Sequence, residues 1–115
     1  MEKVYVDLHN CLLMPNGNPN KDMVNLVNTL YKTYDIIIWT ADNINYKELE
    51  NKLPDDLKYN DVAICTLPGG DDIQRKLYII KEKDENNIAF IIDNNKHVCK
   101  ALAKKGINTL RYRIG

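Results

Sequence analysis

Four side chains far apart in the sequence could meet and do chemistry together: Asp7, Thr40, Lys76 and Asp93. Asp7 ends the apolar run Val4-Tyr5-Val6. Thr40 ends Asp35 to Trp39, and Asp93 ends Ile88-Ala89-Phe90-Ile91-Ile92. Short, continuous, β-branched runs of this kind read as strands buried on both faces. If the strands are parallel, their carboxyl ends align, and open α/β sheets bind ligands along that edge. Lys76 falls near the start of a helical stretch and reaches the same edge. Two carboxylates suit Mg²⁺, a hard cation that takes oxygen ligands and keeps several waters. A hydroxyl and an ammonium beside it suit an anion, and phosphate is the obvious one. An aspartate so placed can attack phosphorus and form an aspartyl-phosphate. For Asp7 alone, a turn- or helix-capping carboxylate explains the residue equally well; the recurrence at other strand ends favours the site.

The elements that must position these groups alternate along the chain. Strand one covers residues 3 to 7. Residues 12 to 20 follow, with Pro15-Asn16-Gly17-Asn18-Pro19 predicting a projecting loop or hairpin beside Asp7. Asn20 is placed to cap helix one, which the spacing of Met23, Leu26, Val27, Leu30 and Tyr31 predicts over Lys21 to Thr33. Strand two is Asp35 to Trp39, followed by a polar helix near Asn45 to Lys52 that Pro54 stops. Strand three is Val62 to Cys65. Asp71 or Asp72 caps helix three, where Ile73, Leu77 and Ile80 share a face. The charged run Lys81-Glu82-Lys83-Asp84-Glu85 reads as a solvated helix end and loop. Helix four follows Asn94-Asn95, with Val98, Leu102 and Ala103 inward and Gly106 at its end. Strand five is Ile107 to Leu110, and the tail Arg111 to Gly115 is a candidate extension of it. Strand and helix alternation predicts an α/β, three-layer α/β/α Rossmann-like fold, with a five-stranded parallel sheet.

The chain has 115 residues, enough for a single domain over 1–115 and no second one. Sixteen basic and sixteen acidic residues cancel, so no net field draws it to nucleic acid or a membrane. No apolar run approaches the length of a membrane span. Met1-Glu2-Lys3 leads into the first strand without a signal-peptide core. Cys11, Cys65 and Cys99 are odd in number and lack CxxC spacing, which argues against a disulfide framework or zinc site. A reducing, cytoplasmic setting is the expectation.

Taken in order, Asp7-Leu8-His9-Asn10-Cys11, Ile37-Ile38-Trp39-Thr40, Lys76 and Ile91-Ile92-Asp93-Asn94-Asn95 resemble the motifs of the haloacid dehalogenase superfamily of phosphohydrolases. The resemblance covers essentially the whole chain. It leaves no room for a cap domain, so the style is that of the capless phosphatase domain of polynucleotide kinase-phosphatases. The resemblance implies that Asp7 is the nucleophile. His9 stands in place of the second Asp, the general acid/base, and its backbone carbonyl binds Mg²⁺. Thr40, Asn10 and Lys76 hold phosphate, with Lys76 also neutralising the nucleophile. Asp93 is a direct metal ligand, and Asn94 stands where many members carry a second acid at the metal. The implied substrate is a phosphomonoester, with a nucleotide or nucleic-acid end as the suggested class.

The chain departs from that pattern at His9, at Cys11 for Thr and at Asn94 for Asp. An imidazole can do acid/base work. The rival reading is a member that has lost turnover and binds a nucleotide, nucleic acid or protein partner in the same crevice. A receiver domain needs an acid at the end of strand three, where Ile64-Cys65-Thr66 has none. A dinucleotide-binding domain needs a Gly-rich turn after strand one, which Leu8-His9-Asn10-Cys11 is not. His97 reads as exposed, Cys11 as small and half-buried, Cys65 and Cys99 as near-core, and Trp39 as packing beside the site. Arg75, Arg111 and Arg113 read as surface charges. Gly69-Gly70 reads as a turn, since it lacks P-loop spacing.

Overall fold

The strands form one parallel sheet in the order β3-β2-β1-β4-β5, seen in a computed structural model that describes residues 1–83 and 86–114. The elements in chain order are β1 (Lys3–Asp7), α1 (Lys21–Leu30), β2 (Asp35–Trp39), α2 (Tyr46–Lys52), β3 (Asp61–Ala63), α3 (Asp72–Glu82), β4 (Ile88–Asp93), α4 (Lys96–Lys104) and β5 (Thr109–Arg111). This is the predicted three-layer Rossmann-like α/β architecture. Asp84, Glu85 and Gly115 lie outside the described residues, and so do those parts of the expected charged loop and tail.

Alternation along the strands divides the core in two. Val4, Val6, Ile36, Ile38 and Val62 pack with Met23, Val24 and Val27 of α1 and Leu49 of α2. Tyr5, Ile37, Trp39, Ala63 and Ile91 pack with Ile79 and Ile80 of α3 and Val98 and Leu102 of α4. The grouping follows from connectivity. From β1 the chain moves outward to β2 and β3, then jumps back past β1 to β4 and moves outward the other way. With crossovers of constant hand, that reversal puts α1 and α2 on one face and α3 and α4 on the other. It also opens a switch point between β1 and β4, the place where such sheets bind ligands.

One irregularity sets the register there. Lys3 pairs with Ile88, but Val4 pairs with Phe90, so Ala89 is an extra residue in β4. Tyr5 then faces Ile91 and Val6 faces Ile92. The next position in that register sets Asp7 beside Asp93, on the α3–α4 face. Without the bulge Asp7 would meet Ile92, and Asp93 would lie one residue beyond it along the sheet.

Local differences from the sequence reading have identifiable causes. Helix α1 stops at Leu30 because residues 31–33 tighten into a turn, with Lys32 and Thr33 N–H donating three residues back to Thr29 and Leu30. Strand β3 ends at Ala63, the last residue paired to β2, and β5 is confined to the residues paired to Ile91, Ile92 and Asp93. Asn20 holds the N-cap position of α1 by its backbone, but its side chain makes no cap bond. The buried amide instead donates to the Cys11 carbonyl (2.8 Å) and the Tyr112 hydroxyl (2.9 Å), tying the hairpin to the tail. Ala103 is exposed, and Cys99 takes the inward position beside Val98 and Leu102.

Candidate functional site

Asp7, Lys76 and Asp93 form a bridge at the switch point. Lys76 Nζ donates to Asp7 Oδ1 at 2.8 Å and to Asp93 Oδ2 at 2.5 Å. All three are buried, with relative exposures of 6%, 3% and 0% for Asp7, Lys76 and Asp93. Lys76 is aimed inward by helical spacing, since Ile79 and Ile80 lie three and four residues on along the same core-facing side of α3. Its ammonium also sits 5.0 Å from the centre of the Trp39 ring, a cation–π contact. Tyr5 meets Trp39 edge-on at 5.0 Å. Trp39 has no exposed surface, so it packs beneath the site and offers no face to an incoming base.

The bonds around the bridge are directional. Asp7 Oδ1 also accepts from the Leu8 N–H, and Asp93 Oδ1 accepts from the Asn95 N–H, both at 2.9 Å. Burial pushes the Asp7 carboxyl up to about 6; Lys76 pulls it down, Asp93 pushes it up, and the Asn94 N–H pulls it down. Burial alone would lower the Lys76 ammonium, but the two carboxylates outweigh it and raise it. One cation thus compensates two buried acids, which would otherwise be strongly unfavourable side by side.

The bridge forms the floor of a cleft of about 210 Å³. Asp7, His9, Asn10, Thr40, Lys76 and Asn94 line it, together with Ala41, Asp42, Asp72 and Asn95. Of the predicted site residues only Asp93 is absent from the lining, because it is wholly covered and engaged by Lys76 and Asn95. After β1 the Leu13 N–H bonds back to the Leu8 carbonyl at 3.0 Å, a wide turn that buries Leu8, Cys11 and Leu12 and leaves His9 and Asn10 at the cleft. Asn10 has φ 56°, the left-handed conformation that asparagine tolerates better than most residues. The hairpin expected beyond it is present, with Met14 and Asn18 bonded at 2.7 Å and Leu13 bridged to Pro19. Thr40 Oγ1 accepts from the Asp42 N–H at 3.2 Å, which leaves its own O–H to donate to an anion.

Two residues of the site region were misjudged from sequence. Arg75 is buried, not a surface charge. Its guanidinium donates to the carbonyls of Ala41 (2.5 Å), Leu67 (2.7 Å) and Gly69 (3.2 Å), and at 3.4 Å to those of Asp42 and Cys65. It therefore binds the loop after β2 to the loop after β3. Asp42, unassigned from sequence, meets His9: Nε2 and Oδ2 lie 2.5 Å apart across the mouth. Asp42 stands three residues beyond Trp39, the end of β2, close enough to the strand end that selected Thr40 to have been a candidate. Cys11, expected half-buried, has no exposed surface because the turn after β1 folds it into the core, and burial pushes its thiol well above the ordinary range, so it supplies no nucleophile. His97 is exposed and outside the cleft lining.

For a divalent cation, the cleft offers oxygen from Asp7 and Asn94. Among the described residues no three His, Cys, Asp or Glu side chains gather as a metal-holding group. Hydrated Mg²⁺ needs only one or two carboxylates, so Asp7 with waters is compatible with it, while Asp93, expected as a direct ligand, is covered and bonded to Lys76. No family model matches the chain, and no curated protein matches it.

Proposed function

We propose that the cleft is a phosphoryl-transfer site of the haloacid dehalogenase type, and that the chain is a Mg²⁺-dependent phosphomonoesterase. The observation that carries this is the buried Lys76 bridge between Asp7 and Asp93, opening onto a cleft where Thr40 keeps a donor free. Asp7 attacks phosphorus and the ester oxygen leaves. Thr40 and Asn10 donate hydrogen bonds to the phosphoryl oxygens, and Lys76 offsets the charge gathered on them and on Asp7. Asp93 holds Lys76 in line. Water then hydrolyses the aspartyl-phosphate and restores the Asp7 carboxylate. A bound Mg²⁺, held by Asp7, Asn94 and the His9 backbone carbonyl, would neutralise phosphate charge during transfer.

Among the described residues Lys76 is the only lysine or arginine lining the cleft, and Asp42 and Asp72 stand on its wall, which favours a single phosphoryl group over a nucleic-acid backbone. The test is phosphate release from an aryl phosphate with and without Mg²⁺, in wild type and Asp7→Asn. Metal-dependent release that disappears in the variant is expected. No release from the wild-type protein would overturn the proposal in favour of a member that only binds. A phosphorylated oligonucleotide, a nucleotide and a hexose phosphate, compared at equal concentration, place the substrate class.

A further inference from the structure

His9 occupies the position where the resemblance calls for a carboxylic acid, and an imidazole alone is a poorly fixed substitute. Its side chain is 43% exposed and would sample several rotamers if nothing held it. Asp42 holds it. The carboxylate comes from the other side of the cleft, 33 residues on in the chain, and meets Nε2 at 2.5 Å. Asp42 is itself fixed from three directions. Its N–H donates to Thr40 Oγ1, its carbonyl accepts from Arg75, and its carboxylate engages the imidazole. Arg75 also clamps the preceding carbonyl, that of Ala41. A side chain with its backbone held on both sides is the kind of support that keeps a reacting group within a fraction of an ångström of its working place.

We infer that Asp42 is a positioning residue for His9, and that the pair replaces the family's acid/base carboxylate in the reaction proposed above, on which this inference rests. With Nε2–H donating to Asp42, Nδ1 is the ring nitrogen left to exchange a proton with water and the leaving oxygen, since the partner fixes the other nitrogen. In the second half of the reaction Nδ1 takes a proton from water as the water oxygen bonds to phosphorus and the bond from phosphorus to the Asp7 oxygen breaks. In the first half of the next cycle Nδ1–H returns that proton to the leaving oxygen as its bond to phosphorus breaks. Over one cycle the ester and water become alcohol and phosphate, and the dyad ends as it began. The carboxylate orients the ring throughout.

The test uses the full chain with Mg²⁺ and a series of phosphate esters with leaving groups of rising basicity. Asp42→Asn, His9→Ala and the double variant are compared with wild type. Asp42→Asn should lower kcat on alkyl esters by about 10²-fold, the lower end of what a placed acid supplies, with aryl esters affected far less and KM held. The double variant should be no slower than His9→Ala, since both changes remove one device. Imidazole ¹⁵N spectra give a readout independent of turnover: His9 Nε2 should show a protonated, hydrogen-bonded signal in wild type and lose the hydrogen-bond signature in Asp42→Asn, with His97 unchanged as the internal reference. Additive rate losses, equal losses on aryl and alkyl esters, or an unaltered His9 Nε2 signal would each overturn the dyad while leaving the phosphohydrolase reading intact. Absence of turnover in wild type would overturn that reading, and the catalytic role of the dyad with it.

Discussion

Replacing Asp7 by Asn should make the protein more stable near neutral pH and less sensitive to pH. The Asp7 carboxyl is raised from 3.8 to about 6, chiefly by burial, so the folded state holds its proton more tightly than the unfolded state does. The sign follows from linkage. The contribution is most favourable below the unfolded value and is lost as pH rises through the folded one, because ionising Asp7 then costs more in the fold than in the open chain. A shift of about two units corresponds to about 3 kcal/mol at full ionisation, of which about 2 kcal/mol develops above about pH 4.5. Asparagine has nearly the same shape and no charge to bury. Lys76 keeps Asp93 as its partner in the variant. Urea denaturation of both proteins in chelator, at intervals from about pH 4.5 to about pH 8, measures the difference directly. The stability gap between Asp7→Asn and wild type should widen in favour of the variant across that range, while turnover is lost throughout. A gap that stays constant, or that shifts in favour of wild type as pH rises, would refute the account of Asp7 as a carboxylate held against its own ionisation. A buried acid that weakens its own fold is consistent with a group kept for chemistry.

Removing the cation should have the opposite sign: Lys76→Met leaves two adjacent buried acids uncompensated and should cost about 3 to 5 kcal/mol at about pH 7.5, and less at about pH 5, where a carboxyl can keep its proton; thermal melts at both values check it. Arg75→Met strands several carbonyls of the two loops at once, and with each buried unpaired acceptor worth about 1 to 3 kcal/mol it should destabilise by at least about 3 kcal/mol. Hydrogen exchange of the loop amides, the Asp42 N–H among them, should rise in that variant before the sheet opens. Asn20→Ala removes two side-chain hydrogen bonds, one buried and one partly buried, and should cost about 1 to 3 kcal/mol by denaturant titration, with little change in site chemistry.

The outline of the fold was legible because β1, β2 and β4 are short apolar runs with sharp polar ends, and α1 and α4 carry apolar residues at helical spacing. Strand limits at β3 and β5 were not, because a ladder partner decides where an edge strand stops, and partners are invisible in one chain. The same reason hid the Ala89 bulge, although it sets Asp7 level with Asp93. Strand-end logic put Asp7, Thr40, Lys76 and Asp93 on one edge, and the structure joins three of them in a single bridge with Thr40 on the cleft wall. Charge by itself misled at Arg75. Exposed arginines are the rule, but loops that cross a sheet edge carry carbonyls that need donors, and a buried guanidinium with five N–H groups can serve several at once. His9 was hardest to interpret for a related reason. What an imidazole does depends on which nitrogen carries the proton, and that is set by its neighbour. Here the neighbour is Asp42, supplied by a different loop and itself fixed by Arg75. What His9 does therefore lies in a contact between two loops, a level at which single-residue patterns carry no information.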